Sequence, residues 1–229
     1  MARKVAILNP LGGRFLFLLI SILLYFVVRP FLEGYIRIGI LLDIFFSFIL
    51  FSGVYAASQK KYLLIIAMLI GLAAFVTLWS QELFKSPSLI LLGNGLMIVF
   101  FAYIMVIILS HLFRQYEVTA DMIMGAVCVY FFLGLMWGFV FSLLESLQPG
   151  SFRFGEGQAS DAGNFTYYSF VTQTTLGYGD ITPVTAPARS LSLLEAIIGQ
   201  LYLAVLIARL VGIHISQSIT KGFDRKEKT

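Results

Sequence analysis

Charge is scarce in this chain. Asp, Glu, Lys and Arg make up 12% of its 229 residues, against 59% hydrophobic. A soluble domain of this length needs far more charge to cover its surface; a chain whose outer solvent is lipid does not. Cysteine occurs once, at Cys128, which excludes an intrachain disulfide framework. Histidine occurs twice, at His111 and His214, far apart and each near the end of an apolar run, so neither reads as a metal ligand. No paired carboxylates, Ser/His arrangement or His-rich motif lies in the apolar runs, which argues against a membrane enzyme. There is no repeat of fixed period and no low-complexity tract. What is abundant is aromatic and apolar, with 22 Phe and 11 Tyr. The net charge of +4 sits largely in short segments flanking apolar runs. That is the pattern of membrane orientation, and no nucleic-acid partner is expected.

Six apolar stretches read as spans: 11–28, 37–57, 61–80, 87–111, 120–144 and 190–213. Most reach the roughly 17–25 residues of a spanning helix. The first is the weakest, bounded by Arg14 and Arg29, whose long side chains can snorkel to the interfaces. Met-Ala-Arg-Lys ahead of it looks like a signal peptide, but no small-residue cleavage site follows, so it reads as a retained span. Short connections join the first four stretches and predict antiparallel neighbours in a bundle. With six spans both termini share a side. That side collects Arg3, Lys4, Arg14, Lys60, Lys61, Arg114, Lys221, Arg225, Lys226 and Lys228. The positive-inside rule puts it in the cytoplasm, in a plasma or bacterial inner membrane.

The connection between the fifth and sixth stretches is too long for a turn. Residues 148–163 are rich in Gly and Ser and look like surface loop, while 165–175 turn apolar and aromatic but are too short to span. That combination predicts a re-entrant segment. Residues 165–174 fit a short helix, with Asn164 or Thr166 as its N-cap. Its C-terminal end, the negative end of the helix dipole, would favour a cation. The run Thr-Thr-Leu-Gly-Tyr-Gly-Asp follows at 174–180. Gly177 and Gly179 alternate with Leu176 and Tyr178. Glycine reaches backbone angles closed to other residues and brings no side chain to a crowded axis. Four such strands around one axis would stack rings of carbonyl oxygens able to replace the hydration shell of a potassium ion.

The run resembles the signature Thr-Thr-Val-Gly-Tyr-Gly-Asp of the potassium channel pore-domain family, over about residues 120–212. The six-span layout resembles the voltage-gated potassium channels. The resemblance implies an all-α membrane protein with a pore helix and selectivity filter between helices 5 and 6, assembled as a homotetramer. It implies that Thr175 gives a hydroxyl and a carbonyl to the innermost filter site, and that the carbonyls of Leu176, Gly177 and Tyr178 form the sites above. Gly179 would shape the outer mouth, and Asp180 would add negative potential behind it. Thr174, Tyr167, Tyr168 and Val171 would support the filter, with Tyr168 near the ring of Tyr178. Gly199, 20 residues past Gly179, falls at the family's hinge glycine, although close helix packing is an equal reading. Leu203, Ile207 and Val211 follow at four-residue steps as candidate cavity lining. Two departures stand out. Leu176 replaces the usual Val or Ile. Val171 stands where some members carry a glutamate that pairs with the acid after the filter, so Asp180 needs another partner, Tyr168 or water.

The domain reading is a four-helix unit over 1–118 resembling a degenerate voltage sensor, a pore domain over 119–217, and a short basic tail over 218–229. A voltage sensor needs basic residues spaced three apart, because field energy accumulates at about 2.3 kcal/mol per charge per 100 mV. The stretch 87–111 has no Arg or Lys, so strong voltage gating is not expected. Asp43 has either a structural partner such as Arg37 or a functional role. The tail reads as a topology anchor or an anionic-lipid contact. Arg209 reads as a snorkelling or inter-subunit residue ahead of a gate. Glu145 and Glu195 brace the outer mouth or meet water. Asn164-Phe165-Thr166 matches a glycosylation acceptor at a position where a sugar would clash. The function expected is passive, potassium-selective conduction with no cofactor besides the permeant ions. A weakly selective cation channel and a non-conducting regulatory subunit stand as alternatives. A transporter would need a second broken helix in the other half of the chain.

Overall fold

The computed structural model describes residues 14–32, 38–56, 61–84, 86–115, 117–155 and 160–226. Seven helices and two short strands follow in order: α1 (Arg14–Leu32), α2 (Ile38–Ala56), α3 (Lys61–Phe84), α4 (Pro87–Leu112), α5 (Ala120–Leu147), β1 (Phe152–Phe154), α6 (Ala162–Gln173), β2 (Ile181–Pro183) and α7 (Ala186–Lys226). Among the described residues, α3, α4, α5 and α7 are long and apolar enough to cross a membrane, and α1 has a shorter apolar stretch, Phe15–Val28. The side chains of Asp43, Arg14, Arg29, Lys221, Arg225 and Lys226, and all of Arg37 and Lys228, lie outside what is described.

Local chemistry sets the helix ends. Pro87 opens α4, where a missing N–H costs nothing, with Ser86 as N-cap. Thr119 caps α5, its hydroxyl accepting from Met122 N at 3.2 Å. Asp121, in the first turn of α5, also accepts from Phe15 N at 3.4 Å, placing a carboxylate near the start of α1.

Packing runs α1 on α2, α2 on α3, α3 on α4, and both α4 and α1 on α5. The joint between α4 and α5 is only residues 113–119. The four-helix unit therefore leans on α5 of its own chain. Aromatic rings fill the seams: Phe101 lies 5.1 Å from Phe132 and 6.0 Å from Phe139, and Phe46 lies 5.2 Å from Phe139. Isolated polar side chains pair between helices, as membrane packing demands. Asn94 donates to Ser142 at 3.0 Å, Trp79 to Ser47 at 3.3 Å, and Tyr202 to the Ala126 carbonyl at 2.7 Å. Cys128 is buried, and His111 is bonded to Gln115 at 3.1 Å.

The last helix departs from expectation at both ends. It starts at Ala186 and runs 41 residues, past the predicted end at 213 and through 218–226, so most of the expected tail is helix. After Pro187 in its first turn no proline interrupts it, and a helix already formed extends at one bond per added residue. Only 6% of its apolar window is buried within one chain, against 56% for α5. Arg209 makes its contacts inside the chain. Its Nη2 donates to Leu112 O at 3.0 Å and Gln115 O at 3.4 Å, and the guanidinium lies 4.6 Å over the Phe113 ring. It satisfies open carbonyls at the C-terminal end of α4 and ties α7 to the α4–α5 joint.

Candidate functional site

The site begins with α6. Its N-cap is Asp161, whose side chain accepts from Asn164 N at 2.8 Å. This corrects the expected cap at Asn164 or Thr166: the helix starts earlier, at Ala162. Thr166 is spent within the helix, bonded to Ala162 O at 2.8 Å, and Asn164 Nδ2 turns to Asp161 at 3.3 Å. The acceptor motif at Asn164 therefore lies within the first turns of α6, with Phe165 and Thr166 buried.

Three glycines let α6 sit close to its neighbours. A Cβ on Gly138 of α5 would stand 3.0 Å from the Thr166 Cα, and one on Gly134 would stand 2.6 Å from the Phe170 ring. On α7, a Cβ at Gly199 would stand 2.7 Å from Gln173 Cγ and 3.1 Å from Gln173 O. Gly199 thus has a packing task in an unbroken helix. Gln173 is fully buried and locks the end of α6. Its Nε2 donates to Tyr130 O at 3.0 Å, and its backbone carbonyl accepts from Gln200 Nε2 at 3.1 Å.

Beyond α6 the chain straightens. Thr174 N bonds to Phe170 O at 3.0 Å and Thr175 N to Thr172 O at 3.0 Å. Leu176 N and Gly177 N both reach back to Val171 O, at 2.9 and 3.3 Å. The dihedral φ is +60° at Thr175, +60° at Gly177 and +78° at Gly179. Alternate residues are therefore left-handed. Glycine takes this conformation freely, whereas Thr175 holds it at a cost. Leu176 and Tyr178, between them, are 55% and 67% exposed in one chain.

The far end of the run is pinned by a sheet. β2 follows Asp180 directly and pairs antiparallel with β1: Phe154 with Ile181, Arg153 with Thr182, Phe152 with Pro183. So the loop expected over 148–163 contains a strand, because Phe152 is buried against Phe141, Phe165 and Tyr168 at centroid distances of 5.3–5.5 Å. Glu145 braces the turn ahead of β1, accepting from Gly150 N at 2.8 Å and Phe152 N at 3.1 Å.

The two adjacent tyrosines face different ways. Tyr167 hydrogen-bonds Asp180, which supplies the partner expected from Tyr168 or water. Tyr168 points back instead. Its ring packs on Phe141 and Phe152, and its hydroxyl lies 2.6 Å from Ser192 of α7. One turn on, Glu195 is fully buried against Ser169, so it does not meet water. Leu203 is half-buried, while Ile207 and Val211 are exposed in one chain. Sequence reasoning missed Gly134, Gly138, Asp161, Ser169, Gln173 and Ser192. The four-residue spacing of Gly134 and Gly138 in an apolar stretch was a readable sign of close helix contact.

An ion channel family model matches residues 122–214, from the first turn of α5 through α6 into α7. A 63-residue stretch is 35% identical to Two pore potassium channel c of Oryza sativa subsp. japonica. Residues 122–214 are thus similar to the ion channel family, and part of the chain is similar to a potassium channel. The stretch matched by the family model takes in most of α5, β1, α6, the run 174–180, β2 and most of α7. The rice match covers 28% of this chain and 14% of that protein. No solved structure matches the chain. The family match and the apolar helices together mark it as an integral membrane protein.

Proposed function

We propose that four copies of this chain form a potassium-selective pore, with Thr175, Leu176, Gly177, Tyr178 and Gly179 as the filter. The observation that carries the reading is the left-handed backbone at every second residue, Thr175, Gly177 and Gly179. In an ordinary strand successive carbonyls alternate sides. Reversing the sign of φ at every other residue brings them to one side, where they can replace water around a bare cation. The anchors at both ends, Val171 O behind and β2 ahead, support a filter held at fixed width. A fixed ring of carbonyls distinguishes potassium from sodium by size and field strength. Asp180, held by Tyr167, adds negative potential at the outer end.

Fourfold assembly is supported by what one chain leaves bare. Leu176, Tyr178 and most of α7 have apolar surface that, among the described residues, no element of the same chain covers. Helix α6 acts as the re-entrant pore helix. Gly199 seats α7 beneath it, and Leu203, Ile207 and Val211 line the cavity in the assembly. Six spans place both termini in the cytoplasm, where the basic end of α7 meets anionic lipid.

The reading is tested by reversal potentials of the purified protein in liposomes under opposed potassium and sodium gradients. The expected reversal follows the potassium gradient. A reversal potential indifferent to potassium overturns the proposal in favour of a weakly selective cation pore, and absence of any current favours a regulatory subunit. In the same recordings, conductance should change little between −100 and +100 mV, roughly the range over which a sensor charge gains several kcal/mol, because α4 has no Lys or Arg. A steep voltage dependence would contradict this.

A further inference from the structure

Glu195 lies fully buried in α7, facing the start of the filter's support rather than water. Its Oε1 touches Ser169 Oγ, and its Oε2 is buried without a hydrogen-bond partner. Ser169 Oγ also lies 2.6 Å from the carbonyl oxygen of Gly134 on α5. A serine hydroxyl has one proton. A carbonyl only accepts, so a bond from Ser169 to Gly134 leaves Ser169 with nothing to donate to Glu195. Both contacts close together only when the carboxyl brings the second proton.

We propose that Glu195 is held as the neutral acid and donates to Ser169, which donates to the Gly134 carbonyl. This three-member relay runs α7 to α6 to α5 and positions the pore helix. The surroundings agree with a neutral acid. Among the described residues no basic side chain pairs with Glu195, and the titratable groups that act on it are the phenols Tyr130 of α5 and Tyr168 of α6. Neither supplies a positive charge. A bare carboxylate here, with one oxygen unpartnered, would carry the full cost of a buried unpaired charge. A neutral acid leaves only one carbonyl-type oxygen unsatisfied.

The position explains why such a relay matters. Ser169 stands two residues before Val171, whose carbonyl receives Leu176 N and Gly177 N. On α7, Ser192 holds Tyr168 one turn before Glu195 holds Ser169. The two bonds join successive residues of α6 to one stripe of α7, so a shift of either helix is passed to the base of the filter. Glu195 is thus a positioning residue. Its consequence for flux rests on the potassium-pore reading, but its protonation does not.

Infrared difference spectroscopy of the full chain in liposomes decides the proton. At neutral pH the expected spectrum contains the carbonyl stretch of a protonated carboxylic acid, which disappears in Glu195→Gln. In Ser169→Ala the band persists and moves to higher frequency, because the acid has lost its acceptor. A wild-type spectrum without that band, or a carboxylate band removed by Glu195→Gln, overturns the proposal. Potassium flux reads the positioning role. Glu195→Gln, which still donates to Ser169, should conduct within about twofold of wild type, and Glu195→Ala should lose about tenfold or more. Equal loss in both variants overturns the role. If Glu195→Ala does not assemble, the comparison is made with Ser169→Ala, expected to fall below Glu195→Gln; a Ser169→Ala variant that conducts as well overturns it. If no form conducts, the potassium-pore reading fails while the infrared band still decides the proton.

Discussion

Gly177→Asp is expected to abolish the proposed potassium flux while leaving the chain able to reach the membrane. At φ +60° an L side chain is strained by roughly 1–2 kcal/mol, and the proposed fourfold assembly would repeat that strain in each copy of the run. The aspartate adds a carboxylate and removes the one residue type that leaves the axis clear. A Cβ at Gly177 meets nothing within 4 Å inside one chain. The damage is therefore to filter backbone and axis, not to the fold of the subunit. Gly177→Ala isolates the strain from the charge and should reduce flux by about tenfold or more. Flux in liposomes, read beside the assembly size in detergent, checks both. An alanine variant that conducts like wild type would mean that the left-handed turn at 177 has no part in conduction.

Gly138→Val is expected to push α6 off its seat. A Cβ there stands 3.0 Å from Thr166 Cα and 3.2 Å from Thr166 N. Those are backbone atoms of a helix, so no rotamer change relieves the contact and α6 must move as a body. Overpacking of this kind costs about 1–3 kcal/mol. At Gly134 the nearest atoms are those of the Phe170 ring and Gln173 Oε1, so the contact falls on side chains and not on helix backbone. The expected order is that Gly138→Val lowers both the thermal unfolding midpoint and potassium flux strongly, while Gly134→Ala lowers them less. Equal tolerance at the two positions would show that α6 does not depend on the backbone approach at Gly138.

The apolar helices were readable because their lengths follow from the thickness of a bilayer, and all six expected stretches begin within four residues of the helices observed. The left-handed backbone at Gly177 and Gly179 was readable because that angle is one that glycine alone takes freely. Thr175 shares that angle without being glycine, and nothing in its side chain announces it. The N-cap moved to Asp161 because Gly163 and Ala162 disguise the first turn of α6 as loop. The strand β1 was hidden in a polar-looking segment because its stability comes from Phe152 meeting α5 and α6, not from its own propensity.

By itself the sequence determined a membrane chain with a filter-like run between two long apolar stretches and no basic ladder in the fourth. These are local properties, written in composition, length and the placing of Gly177 and Gly179. Only the tertiary structure decided which tyrosine holds Asp180, that Glu195 is sealed against α6, that Arg209 closes the end of α4, and that the four-helix unit leans on its own α5. Each of those depends on distances between residues that are neighbours in space and, in most cases, far apart along the chain. Hydrogen-bond partners and burial are set by such distances, so no reading of residues in order could have supplied them.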